Sequence, residues 1–321
     1  MIKQLKAKIL SATAIYMTSN YIDVVKGSFT LNGPKITYLK RIPCSKNLSK
    51  IKASERKEEI DRVISKTFDE EDMPYRVSVN IENQDFLLRR FSMMNVPDAE
   101  IEEAMGFEVQ KYIPYSLDKL SYKYEKRTIS KEEVAIIFNA CEKKVLNDLI
   151  KYFYDKDIIP SVIKPGPCLV SEGIRQQKNL KDGLFLSIHY QPPNKVVLTG
   201  IFQQAPCFFR EIETILGEDE FSSTELVYPP LKDVWGLIEK DIVRVIDYLK
   251  KEFNCDIEKV FISGLIEDPS EKRIFEDFNL KFERLDFSKY SVVAGKHPDR
   301  FFPVLTLLEQ SFSPVKMNLA P

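Results

Sequence analysis

Two histidines, His189 and His297, and five cysteines, Cys44, Cys141, Cys168, Cys207 and Cys255, are the imidazole and thiol ligands in the chain. No two cysteines form a Cys-x-x-Cys pair, and no histidine sits at the spacing of a zinc ligand set, so no metal site is expected. An odd cysteine count in 321 residues argues against a disulfide framework and for a reducing compartment. His189 could act as a general base, but the sequence pairs no Ser or Cys nucleophile with it, and a packed histidine is expected. The acidic run Asp69-Glu70-Glu71-Asp72 reads as a solvated loop, because like charges repel and nothing imposes ligand geometry. Tyr112, Tyr115, Tyr122 and Tyr124, interleaved with Lys111, Lys119 and Lys123, have the spacing of a single-strand nucleic-acid platform. Lys and Arg total 47 against 48 Asp and Glu, a net charge of −1. With no basic excess, a packed surface is the better reading and nucleic acid is not an expected partner. Trp235 is expected in the core at the start of a helix, with an interface anchor as the alternative.

Hydrophobic periodicity supplies the elements that position these residues. Strands are expected over Ala14–Met17, Ile22–Phe29 and Lys35–Leu39, with a Leu31-Asn32-Gly33 turn whose Asn and Gly tolerate positive φ. A helix capped by Ser54 presents Ile60, Val63, Ile64 and Phe68. After a strand at Arg76–Ile81 comes a β-α-β-β-α-β order: Phe86–Met93, a helix opened by Pro97, Leu120–Arg127, Val134–Ala140, a helix over Val145–Phe153, and Ile159–Ile163. That order predicts a split-βαβ subdomain. The first helix is expected to bury Ile101, Ala104, Met105, Val109 and Tyr112. Pro165-Gly166-Pro167 reads as a break, followed by a short helix near Leu169–Gln176 and a polar linker at Lys178–Asp182. The second half opens with strands at Leu184–His189, Lys195–Phe202 and Pro206–Ile212. A long helix over Asp233–Phe253 carries Ile238, Ile242, Val245, Ile246, Leu249 and Phe253. Strands at Lys259–Ser263 and Lys281–Leu285 and a helix with Val304, Leu305, Leu308 and Phe312 complete the chain. The shared strand, hairpin strand, strand opening of the two halves hints at duplication.

Several stretches resemble the type IV pilus assembly protein PilM. They are Phe86-Leu87-Leu88-Arg89-Arg90-Phe91, then Glu102-Glu103-Ala104-Met105, then Glu108-Val109-Gln110-Lys111-Tyr112-Ile113-Pro114-Tyr115. Ile159-Pro160-Ser161-Val162, Phe208-Phe209-Arg210-Glu211-Ile212 and Phe261-Ile262-Ser263-Gly264 extend the match. The resemblance implies an α/β, actin-like fold of the FtsA/PilM type: two lobes, residues 1–177 and 178–315, with an inserted split-βαβ subdomain at 84–163. The tail Lys316-Met317-Asn318-Leu319-Ala320-Pro321 is similar to the peptide that begins PilN. Residues 316–321 therefore read as the start of a PilN-like segment, with Met317, Asn318 and Leu319 as a partner peptide. That layout also matches GspL of type II secretion, or a PilM–PilN fusion.

In the family this resemblance implies, phosphate is gripped by two Asp-x-Gly hairpins: Gly admits the backbone and Asp holds magnesium through water. Here the corresponding stretches are Met17–Tyr21 and Ser187–Pro193, and neither has either residue. Thr18, Ser19, Ser187 and Gly264 mark degenerate phosphate-loop positions. The chain has 11 glycines, about 3%, where roughly 7% is usual. No cofactor and no catalysis are expected; the resemblance implies a scaffold joining membrane proteins of the PilN/PilO or GspM kind to a pilus or secretion ATPase, and a homo-oligomer is expected. The alternative is a nucleotide-binding actin-like ATPase that polymerises or switches. No apolar run reaches the ~20 residues of a membrane span, and the N-terminus lacks a signal core. The expected location is cytoplasmic at the inner membrane, as part of a longer single-pass protein. Pilus and secretion systems are both open on this reading.

Overall fold

The computed structural model describes residues 11–30, 33–68, 76–113, 115–178, 180, 182–214, 228–287, 290 and 298–312. The chain opens with β1 (Ser11–Met17), β2 (Tyr21–Thr30) and β3 (Gly33–Pro43), then α1 (Ala53–Phe68) and β4 (Arg76–Ile81). Next come β5 (Leu87–Met94), α2 (Ile101–Gln110), β6 (Leu120–Thr128), β7 (Glu133–Glu142), α3 (Lys143–Tyr154), β8 (Pro160–Pro165) and α4 (Gly166–Lys178). The second half contains β9 (Leu184–Gln191), β10 (Lys195–Phe202), β11 (Ala205–Glu213), α5 (Leu231–Phe253) and β12 (Ile257–Ser263). It ends with α6 (Ser270–Asp277), β13 (Phe282–Arg284) and α7 (Phe302–Gln310).

The sheets express the duplication that the opening strands suggest. One has the order β3-β2-β1-β4-β8 and the other β11-β10-β9-β12-β13. In each, three strands form an antiparallel meander and two more add in parallel. A parallel neighbour requires a crossover long enough to hold a helix; α1 and α5 supply it. The stripe Ile238, Ile242, Val245, Ile246 and Leu249 of α5 is buried against β9, β10 and β12. Asn254, at φ 49°, ends that helix in the left-handed conformation that Asn tolerates. Trp235 packs edge-on against Phe275 and Phe278 at 5.9 and 5.5 Å, at the margin of that core.

The unit expected over 84–163 divides in two. β5, β7 and β6 form a three-stranded antiparallel sheet backed by α2. Its expected fourth strand, β8, lies parallel to β4 in the first sheet instead. α3 stays with the inserted sheet, packed on β6 and β7, and Leu146 and Phe153 join Leu88 and Ile137 of that sheet to Ile81 and Ile163 of the first sheet in one core. The cause of the β8 placement is its apolar character on both faces, since Val162 and Ile163 enter two different cores. Such a strand fits a covered parallel sheet. Strand and helix order alone carried no information on which sheet β8 joins.

Two further expectations are corrected. Pro165-Gly166-Pro167 does not break the chain; Pro165 ends β8, and Pro167 occupies the first turn of α4, where its missing N–H costs nothing. α4 is longer than expected and buried from Gly166 to Ile174. Tyr112 is exposed, because α2 stops at Gln110; its ring stacks on Phe91 from outside. The expected Asn32 turn, the acidic run at 69–72, His297 and the tail residues Met317, Asn318 and Leu319 lie outside the described residues, as does the Ser54 side chain.

Candidate functional site

The turn joining β1 to β2 and the turn joining β9 to β10 meet between the lobes. They enclose a cavity of about 20 Å³, lined by Tyr16 to Ser19, Glu82 to Gln84, Gln191, Lys195 and Glu211. That is room for a water molecule; a site for a drug-sized ligand has roughly 300–1,000 Å³. Side chains fill the rest. Gln191 donates from Nε2 to Tyr16 Oη at 3.1 Å, and Asn83 donates from Nδ2 to Glu211 Oε1 at 2.8 Å. Lys195 Nζ pairs with Glu211 Oε2 at 3.0 Å. The backbone closes in too: a Cβ on Gly166 would lie 2.5 Å from Asn83 Oδ1 and 2.9 Å from Tyr16 Oη. Glu82 and Glu211 against Lys195 give the cavity an acidic lining, and Arg56 pairs with Glu82 behind it.

The four degenerate phosphate-loop residues are not four donors around one space. Thr18 uses its hydroxyl within its own turn, donating to Tyr21 O at 3.0 Å and accepting from Tyr21 N at 3.1 Å. Ser19 lines the cavity, while its carbonyl accepts from Leu48 N at 2.7 Å. Ser187 lies inside β9, paired with Thr199 and Phe261, with its hydroxyl buried and unpartnered. The second turn is therefore formed by residues after Gln191, away from Ser187. Gly264 follows β12 at φ 78°, and a Cβ there would collide with the Tyr190 carbonyl. Its N–H donates to Asp299 Oδ2 at 2.9 Å.

A second layer of the cleft is built around Arg41. Its guanidinium grips Asp23 in a fork, Nε to Oδ1 at 2.6 Å and NH2 to Oδ2 at 2.5 Å. From this first-lobe position it also donates to Arg300 O at 2.6 Å and to the Tyr228 hydroxyl. It lies 3.9 Å from the Tyr21 ring centroid and 4.8 Å from that of Phe301. Burial opposes the charge on Arg41, but Asp23, Tyr21 and Tyr228 together hold the guanidinium above its ordinary pKa. Burial raises the Asp23 carboxyl, and Arg41 pulls it the other way. Nearby, His189 Nδ1 lies 2.9 Å from Ser263 Oγ, and Nε2 is buried without a partner. Burial, with a smaller contribution from Arg41, lowers the His189 pKa to about 3, so the ring is neutral.

Sequence reasoning missed Asp23, Arg41, Asn83 and the role of Glu211. One signal was present: Asp23 interrupts the apolar run Ile22-Val24-Val25, and a buried carboxylate needs a cation. The partner was hard to find because a bulge between Lys26 and Gly27 shifts the register that brings Arg41 opposite Asp23.

No protein-family model matches the sequence, and no curated protein matches it. Solved structures do. A PilM-PilN type IV pilus biogenesis complex superposes with a TM-score of 0.63 at 15% identity, over 94% of this chain and 99% of that one. The cytoplasmic domain of EpsL, an inner-membrane component of the type II secretion system of Vibrio cholerae, gives 0.51 at 10%, over 96% and 97%. A Bacteroides thetaiotaomicron protein with an actin-like ATPase fold gives 0.50 at 10%, over 95% and 99%.

This chain has the actin-like fold. The two duplicated sheets are its lobes, and the β5-β7-β6 sheet is inserted in the first. The cleft between the lobes of this actin-like fold holds the Asn83–Glu211 and Arg41–Tyr228 contacts in place of an open pocket. All five cysteines are free; burial pushes the Cys44 and Cys141 thiols up to about 12, which removes their nucleophilic character at neutral pH.

Proposed function

We propose that this chain is a non-catalytic cytoplasmic scaffold of a type IV pilus or type II secretion inner-membrane platform, linking membrane partners to the assembly or secretion ATPase. The observation that carries the reading is the filled cleft: contacts across the lobes occupy the place where nucleotide would enter, around a lining that includes Glu82 and Glu211. A triphosphate there would meet carboxylates and would have to displace interlobe hydrogen bonds. The likeness to PilM and to the EpsL cytoplasmic domain supports the choice of machine. In this reading the lobes are residues 1–177 and 178–315, except that α7, at the end of the second range, packs on β1, β2 and β4 of the first lobe. Residues 316–321 begin a PilN-like segment, and Met317, Asn318 and Leu319 dock as an extended peptide on the same chain or a neighbour. PilN/PilO- or GspM-like proteins and a homo-oligomer complete the assembly. Among the described residues no helix is long and apolar enough to cross a membrane, so membrane attachment is assigned to the partners or to a span joined to this chain.

The test is a melting titration with magnesium and ATP, run beside co-purification with a PilN- or GspM-like partner and the assembly ATPase. A ligand at 100 times its dissociation constant adds about 2.7 kcal/mol to stability. No shift in melting temperature is expected at millimolar ATP. A magnesium-dependent rise of several degrees would support the ATPase alternative instead, and failure to retain any platform partner would remove the scaffold reading.

A further inference from the structure

A cavity of about 120 Å³ lies away from the cleft, where the inserted sheet, the first lobe and the second lobe meet. β6 contributes Glu125 and Arg127, α4 contributes Glu172 and Arg175, and the β10–β11 turn contributes Gln203 and Gln204. The charges sort into committed and free groups. Arg127 pairs with Glu125 at 2.7 Å, and Glu172 pairs with the buried Lys164. Arg175 has no ion pair among the described residues, and neither Gln203 nor Gln204 has a side-chain hydrogen bond there. By charge count Arg127 and Lys164 match the two carboxylates and Arg175 is left over, although Glu172 Oε2 is buried without a hydrogen-bond partner and Glu172 also feels the Arg175 charge.

The turn carries a second, independent signal. Gln203 and Gln204 have φ of 48° and 71°, so both central residues of a two-residue hairpin are left-handed. Such turns favour Asn-Gly or Gly-Gly, because a Cβ is strained there. Two glutamines in this conformation gain nothing for the turn itself. Their amides are what a glycine could not supply, and they line the same cavity as Arg175.

We propose that this cavity binds one small oxyanion, a carboxylate or a phosphate. The Arg175 guanidinium presents a planar fork that matches two oxygens of either group. Each glutamine amide adds N–H donors. The volume suits an ion of a few heavy atoms and excludes a nucleotide. A bound oxyanion would touch all three units and hold the inserted sheet against both lobes. The proposal is independent of the scaffold reading and stands or falls separately from it. Free phosphate, a free dicarboxylate and the acidic side chain of a partner share this chemistry.

Isothermal titration of the full chain at constant ionic strength tests it, with inorganic phosphate, succinate and a blocked Glu-Glu peptide as probes and chloride as the control ion. Saturable one-to-one binding of at least one probe is expected. Arg175→Gln should weaken it about tenfold or more, the loss of one charge-assisted contact. Arg175→Lys, which keeps the charge and loses the fork, should fall between. Lys40→Gln, which keeps the cavity intact, should bind as wild type. Phosphate as the tightest probe identifies a free ion; the peptide as the tightest identifies a partner's side chain. Absence of saturable binding, or equal affinity in wild type and Arg175→Gln, overturns the proposal.

Discussion

Asp23 and Arg41 face each other across β2 and β3 with almost no exposure to solvent. Removing two charges from water is costly, and the pair is tolerated because each oxygen and nitrogen of the fork has a partner. Arg41→Ala should therefore destabilise the protein by about 3–5 kcal/mol, because it strands the Asp23 carboxylate. Asp23→Leu combined with Arg41→Met should recover much of that loss, since no charge remains buried. Equilibrium denaturation in urea measures both. A loss below about 1 kcal/mol for Arg41→Ala would mean that water reaches Asp23 and that the pair does not seal the cleft. Interlobe adhesion also depends on Arg41, through Tyr228, while its bond to the Arg300 carbonyl anchors the start of α7 on the first sheet, so the single variant should loosen the lobes as well.

At the scale of elements, α2 tests the inserted sheet. Ile101, Met105 and Val109 are buried, and Met105 is completely enclosed against the sheet of β5, β7 and β6. Met105→Asp would bury an unpaired carboxylate, a cost of several kcal/mol, and should unfold the insertion; Met105→Leu should cost less than about 1.5 kcal/mol. Hydrogen exchange of β5–β7 amides separates local from global unfolding, and unchanged protection in Met105→Asp would place that side chain outside the core. Which elements were legible follows from their surroundings. α5 has one apolar face and one wet face, so its 3.6-residue period is written in Ile238, Ile242, Val245 and Leu249. α4 is buried on most sides between the lobes, so Gly166 to Ile174 shows no amphipathic stripe and the helix reads as a short fragment after a proline break. The strands of the two meanders were found to within a few residues, because alternation survives wherever one face is covered. The cleft was only half legible. Missing Asp and Gly at Met17–Tyr21 were plain in the sequence, but the side chains that fill the space come from β1, β3, the turn after β4, β9, β10 and β11, and only the fold brings them together.

At the scale of the molecule, the lobes meet along a seam that contains buried polar groups with no partner: Ser187 Oγ, Thr199 Oγ1 and His189 Nε2. His189 projects from β9 between Ser263 and the ring of Phe302 on α7, with Arg41 as a nearby charge. Its pKa is lowered from 6.5 to about 3, first by burial and then by Arg41. The sign follows from the proton count. Above pH 6.5 the ring is neutral in both folded and unfolded chains, and the stability is fully present. As the pH falls below 6.5 the unfolded chain takes up a proton that the folded chain refuses, so stability declines toward pH 3. By pH 5 the loss is about 2 kcal/mol from this one group. The carboxylate of Glu59, lowered to about 2 by Arg62 and Ser45 against the opposing effect of burial, acts in the same direction but only below its ordinary value of 4.5. Burial raises the carboxyls of Asp23, Glu82 and Glu172, which act in the opposite direction as the pH falls toward 4.5, so the histidine's share is read from the difference between wild type and a His189 variant. His189→Gln, which cannot titrate, should lose less melting temperature than wild type between pH 6.5 and 4.5 while keeping the contribution of Glu59 below pH 4.5. Limited proteolysis at pH 5 should cut the wild type faster than the variant if the seam is what opens. Parallel pH profiles for the two proteins between 6.5 and 4.5 would show that water already reaches His189 and that the lobes are not sealed around it.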